Sequence, residues 1–101
     1  YGPEEEQARA LLAAAELPRA GALVVIDGER LAAAGRPRLR EALRVLWQRE
    51  GWPVSGMGFD AWERVAAVAL GETAAADLPG GVRIRRRGKV VQVGSDPELL
   101  C

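Results

Sequence analysis

Histidine is absent from the 101 residues, which removes the commonest general base and metal ligand. The single cysteine, Cys101, can form no internal disulfide and contributes to no Cys/His zinc set. It fits a reducing compartment, and a cytoplasmic location is expected. No apolar run approaches the roughly 20 residues of a membrane span, and no charged-then-apolar leader opens the chain, so no membrane partner is expected. Without histidine there is no Ser–His pair for acyl transfer. Gly80-Gly81 is followed by a strand-like run rather than a helix, so there is no phosphate-cradling loop. Asp60 and Glu63 form a carboxylate pair, but at a helix start such acids are capping candidates first. No catalytic residue and no metal site is expected, and binding remains as the function to consider. The chain opens on Tyr1 rather than Met and is expected to be a piece of a longer protein.

Net charge is also lacking: 14 basic residues balance 14 acidic ones. The distribution is nonetheless polarised. Residues 1–29 hold six acids against Arg9 and Arg19, residues 30–49 hold six arginines against Glu41, and residues 83–89 hold four arginines and Lys89 with no acid. An ordinary surface interleaves signs, so two arginine blocks that avoid acids point to an anionic partner more than solvated faces would. Guanidinium forks match phosphate oxygens in pairs.

Taken in order, Pro3 to Leu17 reads as a helix. Pro3 suits the first turn, and Glu4, Glu5 and Glu6 complement the positive end of the macrodipole. Ala8, Leu11, Leu12 and Ala15 form its apolar stripe, and Pro18 stops it. Gly21 to Ile26 is a short β-branched run and reads as a buried strand. Asp27 is a candidate N-cap for a short helix over Gly28–Ala34, closed by Gly35. Arg36 to Glu50 is the longest helix, with Leu39, Ala42, Leu43, Leu46 and Trp47 on one face and Arg36, Arg40 and Arg44 along its flank. Trp52–Gly58 is a linker. Phe59 to Leu70 forms another helix, with Phe59, Trp62, Val65, Ala66 and Ala69 assigned to the core. Ala75–Leu78 reads as a strand that turns through Pro79-Gly80. Ser95–Cys101 carries no readable pattern and is expected to be a frayed tail or the start of a severed helix.

The densest stretch is Asp77–Val93. Pro79-Gly80 suits the centre of a type II turn. Placing Arg87-Gly88 at the hairpin tip pairs Arg86 with Lys89, Ile84 with Val91 and Val82 with Val93. Val82, Ile84, Val91 and Val93 then share one face, and Arg83, Arg85, Val90 and Gln92 the other. A lone hairpin is marginal, so its apolar face must rest on Leu39, Leu43, Leu46 and Trp47, with Phe59 and Trp62 nearby. The expected fold is one small α+β domain over residues 1–101, two or three main helices packed on a short antiparallel hairpin or meander.

The helix Leu39-Arg-Glu-Ala-Leu-Arg44, a Gly/Pro/Ser loop, the helix Phe59–Leu70 and then Asp77-Leu-Pro-Gly-Gly-Val-Arg-Ile-Arg-Arg85 with its closing strand Lys89-Val-Val-Gln-Val93 form a recognisable succession. It resembles the region that follows the ATPase domain in tRNA(Ile)-lysidine synthetases, over about residues 22–94. The resemblance implies a tRNA-binding accessory domain of the ligase that joins lysine to the wobble cytidine of tRNA(Ile) at the expense of ATP. The family's Ser-Gly-Gly-x-Asp-Ser signature does not occur here. Catalysis, and any need for ATP and magnesium, would belong to a catalytic domain of the same chain, and this portion is not expected to be active alone. By the resemblance Arg36, Arg38, Arg40 and Arg44 become tRNA-contact candidates. The charge pattern adds Arg83, Arg85, Arg86, Arg87 and Lys89. Members of the family often carry a basic residue after the glycine preceding this hairpin, whereas Gly71 is followed here by Glu72.

Two other functions fit parts of the pattern. A winged-helix DNA-binding module would use the hairpin as its wing, but Phe59–Leu70 exposes little beyond Glu63 and Arg64 for a recognition helix. A structural scaffold would pack on the catalytic domain, its arginines meeting acidic protein surface.

Overall fold

β-Branched residues mark the three central strands of this chain's sheet, and the two edge strands contain none. The computed structural model describes residues 3–20 and 23–95, and these form four helices and five strands. In chain order they are α1 (Pro3–Ala15), β1 (Glu16–Ala20), β2 (Leu23–Asp27), α2 (Gly28–Ala33), α3 (Arg36–Glu50), α4 (Phe59–Ala69), β3 (Ala75–Leu78), β4 (Val82–Arg87) and β5 (Val90–Ser95). The strands form one antiparallel sheet in the order β1-β2-β5-β4-β3. The α+β class expected from the sequence is the observed one, with a larger sheet than a hairpin or meander.

The sheet closes across the length of the chain. β2 pairs with β5, bringing Val24 opposite Val93 and Ile26 opposite Val91. Val24, Ile26, Val82, Ile84, Val91 and Val93 project from one face into a single core with Leu12, Leu31, Leu39, Leu43, Leu46, Trp47 and Val65. The helices therefore cover one face of the sheet. Leu23 and Val25, of opposite parity on β2, lie outside that core.

Local signals account for most boundaries. Asp27 caps α2, its carboxylate accepting from the backbone N–H of Glu29 at 3.0 Å and of Arg30 at 3.3 Å. Pro37 sits in the first turn of α3, and Gly51 ends that helix in the left-handed region at φ 74°. Trp47 is fully buried and meets Trp52 and Trp62 edge-on, with ring centroids 5.0 and 5.4 Å away.

Three expectations are corrected. The first helix ends at Ala15, and Glu16 and Leu17 belong to β1 rather than to its last turn. The cause is Pro18, which disfavours helical backbone in the residue before it. Lacking an N–H, Pro18 is accommodated on an edge strand whose register shifts between Leu17 and Ala20. Second, the hairpin tip is Gly88-Lys89, with Arg87 opposite Val90 and Arg86 opposite Val91. A tip at Arg87-Gly88 in a type I′ turn would have placed Arg87 at positive φ, whereas here only Gly88 takes it, at 61°, as the first residue of a II′-like turn requires. Because the slip is two residues, the apolar face is unchanged. Third, Phe59 is not core: it is 67% exposed. The tail expected beyond Ser95 lies outside the described residues, and Ser95 itself ends β5.

Candidate nucleic-acid interface

Alternation along β4 divides its arginines between two environments. Val82, Ile84 and Arg86 face the helices; Arg83, Arg85 and Arg87 face the side of the sheet away from them, Arg83 and Arg85 half-buried and Arg87 exposed. Arg86 reaches past the edge of the core to the end of α4. Its guanidinium donates to the carbonyl oxygen of Ala69 and, through Nε at 2.8 Å, to that of Gly88. That cation is committed to the fold, satisfying a carbonyl that a helix C-terminus otherwise leaves unpaired.

On the face away from the helices, Arg83 lies 3.1 Å from Asp77 across the β3–β4 pair. Its Nε is buried and outside hydrogen-bonding geometry, so the contact is an ion pair rather than a directed bond. Arg85 donates to the side-chain oxygen of Gln92 at 2.7 Å. Gln92 is its cross-strand partner and carries no charge, so Arg85 is oriented without being neutralised. Arg87 is exposed near the hairpin tip, with no acidic partner among the described residues. Lys89, at the tip, stands 3.8 Å from Glu29, both largely exposed. Leu23 and Val25 share that side of the sheet and are buried, with Leu23 lying over Gly94, where a Cβ would stand 2.8 Å from its side chain.

The second arginine block occupies the helical layer. Arg36 meets Glu63 at 3.3 Å and Glu72 at 3.1 and 3.4 Å. The Glu72 hydrogen bond, opposed by desolvation and reinforced by Glu63, raises the guanidinium's pKa further above its ordinary value. Arg40 pairs with Glu63 at 3.2 Å, and its guanidinium carbon lies 5.0 Å from the centroid of Phe59. The Arg44 guanidinium lies 5.8 Å from the centroid of Trp62. Arg38 and Arg44 have no acidic partner among the described residues. With Arg40, Glu41, Gln7, Ala34 and Pro37 they line a shallow groove of about 590 Å³. Glu72, which the sequence singled out as a departure from a basic position, turns out to be the principal partner of Arg36.

The two basic blocks thus lie in different layers, one among the helices and one on the opposite side of the sheet. A single continuous footprint joining Arg36, Arg40 and Arg44 to Arg83, Arg85 and Arg87 is not available. Within the two blocks, and among the described residues, Arg85 and Arg87 on the sheet and Arg38 and Arg44 on α3 have no acidic partner. Phe59 is the residue that sequence reading misplaced. Its helical spacing put it on the core stripe, and its position as the first residue of α4, before that stripe begins to bury, was the signal to the contrary.

Among the described residues, no three His, Cys, Asp or Glu side chains converge as metal ligands. No described helix is long and apolar enough to cross a membrane. Comparison with family models, with curated proteins and with solved structures yields no match.

Proposed function

We propose that this chain is the accessory domain of a tRNA(Ile)-lysidine synthetase and that it holds tRNA through phosphate contacts from the face of its sheet away from the helices. The observation that carries the reading is the pair Arg85 and Arg87. They alternate on the side of β4 away from the helices, next to the hairpin tip, with no acid against either among the described residues. Their hairpin is also the part of the chain most like that family. Arginines two apart on a strand project side by side, about 6.5–7 Å apart, close to the spacing of successive phosphates along a nucleic-acid strand. Such contacts position an RNA and select no sequence. Among the described residues no three His, Cys, Asp or Glu side chains converge. No step of the ligation is assigned to them.

The test is a titration of labelled tRNA by fluorescence anisotropy at about 50 and 200 mM salt. Each phosphate contact contributes about 0.7–0.9 to the log–log slope. The double variant Arg85→Ala, Arg87→Ala is expected to flatten the slope by about 1.4–1.8 and to weaken binding at the lower salt. Equal affinities and equal slopes for wild type and variant would overturn the sheet-face contact.

A second reading has its own support. Arg36 and Arg40 are already neutralised by internal acids, and Phe59 and Val54 are exposed apolar side chains. A domain built to pack against the catalytic domain of its own chain would carry those features. In that case the wild-type chain binds no tRNA at either salt concentration.

A further inference from the structure

We propose that Phe59, backed by Arg40 and flanked by Arg44, is a stacking ledge for an unpaired nucleobase of RNA. The inference rests on the nucleic-acid reading above but uses a different surface, in the helical layer. Its starting point is an aromatic ring that does nothing for the fold. Phe59 is 67% exposed, takes no part in the hydrophobic core, and is the most exposed large apolar side chain among the described residues. The tryptophans nearby are employed otherwise, Trp47 and Trp62 being buried in edge-on contact with one another.

What surrounds the ring suits a nucleotide. The Arg40 guanidinium carbon lies 5.0 Å from the Phe59 centroid, and Glu63 holds that guanidinium by an ion pair of 3.2 Å. The arginine is thus fixed in place over the ring while most of the ring stays open to solvent. A base stacking on the remaining surface meets a preformed π-face and a planar cation, the two elements that single-strand binding proteins combine. One turn further along α3, Arg44 lies 5.8 Å from the Trp62 centroid. It lines the same shallow groove as Arg38 and Arg40, three cations against the one acid Glu41, and neither Arg38 nor Arg44 is paired with an acid among the described residues. Phosphates flanking a stacked base find their counter-charges there. Asp60, next to Phe59 in the first turn of α4, is exposed. Its carboxylate would repel a phosphate but accept a hydrogen bond from a base's exocyclic amine. That arrangement favours a base at the ring and phosphates along Arg44 and Arg38, and it disfavours a paired duplex, whose bases offer no open π-face.

The experiment uses the 101-residue chain with three probes: a single-stranded RNA hexamer carrying 2-aminopurine, a blunt RNA duplex, and tRNA. Wild type is expected to bind the hexamer and quench the 2-aminopurine. Phe59→Ala and Phe59→Leu should each weaken hexamer binding by about 5- to 150-fold, the loss of one stacked base, and abolish the quenching. Phe59→Tyr should stay within about twofold of wild type. Melting curves should be unchanged for all three, because the ring is outside the core. Hexamer binding by Phe59→Leu equal to wild type would overturn the ledge and make Phe59 an apolar protein-contact residue. So would tRNA binding that depends on Arg85 and Arg87 without any hexamer binding, which leaves the sheet-face reading standing. Failure of every RNA to bind at about 50 mM salt would remove both proposals together.

Discussion

The Arg86 guanidinium donates a hydrogen bond to the carbonyl oxygen of Ala69 at the C-terminal end of α4. One strand of the sheet is thereby fastened to the helix that covers it. Gly28 is shaped around the same group: a Cβ there would stand 2.7 Å from Arg86 Nη1 and 3.1 Å from the Lys89 carbonyl oxygen, to which the Gly28 N–H donates at 2.8 Å. Arg86→Met should destabilise the domain by about 2 kcal/mol, the scale for a hydrogen bond with a charged partner. That corresponds to roughly 10 °C in Tm for a domain of this size, and thermal unfolding followed by circular dichroism measures it. Gly28→Ala should also destabilise, and less so in the Arg86→Met background, because the longer guanidinium is then gone. Strict additivity in this double-mutant cycle would show that the two residues do not share the site.

How far this arrangement was legible in the sequence differs from residue to residue. The Asp27 cap, the α3 stripe from Leu39 to Trp47 and the β3–β4 turn are local, and local chemistry specifies them. The inward face of the hairpin was also readable, because a two-residue slip leaves Val82, Ile84, Val91 and Val93 on the same side. The inward facing of Arg86 is likewise the same in either register. Its parity with Ile84 was visible, yet only the packing of α4 beneath the strand shows that an inward arginine finds a helix end to cap. The partners of Arg36 lie 27 and 36 residues away, and no spacing rule connects residues so distant. Glu16 and Leu17 were misread because Pro18 marks the end of the helix only approximately: it disfavours helical backbone in the residue before it, and α1 ends at Ala15.

Glu63 and Glu72 hold α3 arginines in check. Replacing both with glutamine removes the acids that face Arg36 and Arg40 while keeping the side-chain volume. If the domain binds tRNA, the double variant should bind it more tightly, with a salt slope steeper by up to about 1.4–1.8 as two cations become available. The stability change should be small, since these are solvent-accessible pairs. The hydrogen bond from Glu72 raises the Arg36 pKa, and a raised cationic group loses its contribution only as pH climbs through the folded-state value. The Arg36 contribution is therefore constant across neutral pH, and wild-type melting between about pH 6 and 9 should show no transition traceable to its deprotonation.

Gly80 and Gly81 carry the Leu-Pro-Gly-Gly turn but under different constraints. Both have positive φ, 84° and 80°. A Cβ on Gly80 would stand 2.6 Å from Cγ of Pro53, whereas a Cβ on Gly81 meets nothing within 4 Å. Gly81→Ala should cost about 1–2 kcal/mol, the left-handed penalty alone. Gly80→Ala should cost more, because the Trp52–Gly58 loop must also move. Urea denaturation of the two variants gives the comparison, and equal losses would show that Pro53 yields without resistance.

Trp47 supplies a case in which two opposing terms nearly cancel. It is fully buried, and its Nε1 has no hydrogen-bond partner among the described residues. A buried donor left unsatisfied costs about 1–3 kcal/mol. Trp47→Phe removes that donor while opening a small cavity, whose cost is of the same order because the walls relax only in part. The variant should therefore lie within about 1 kcal/mol of wild type in urea denaturation. Trp47→Ala has no such compensation and should cost about 3–5 kcal/mol. It deletes the ring that both Trp52 and Trp62 abut. The contrast between the two substitutions is what tests the argument. A large loss for Trp47→Phe would mean that the indole N–H has a partner after all, or that the edge-on contacts need the full width of the bicyclic ring.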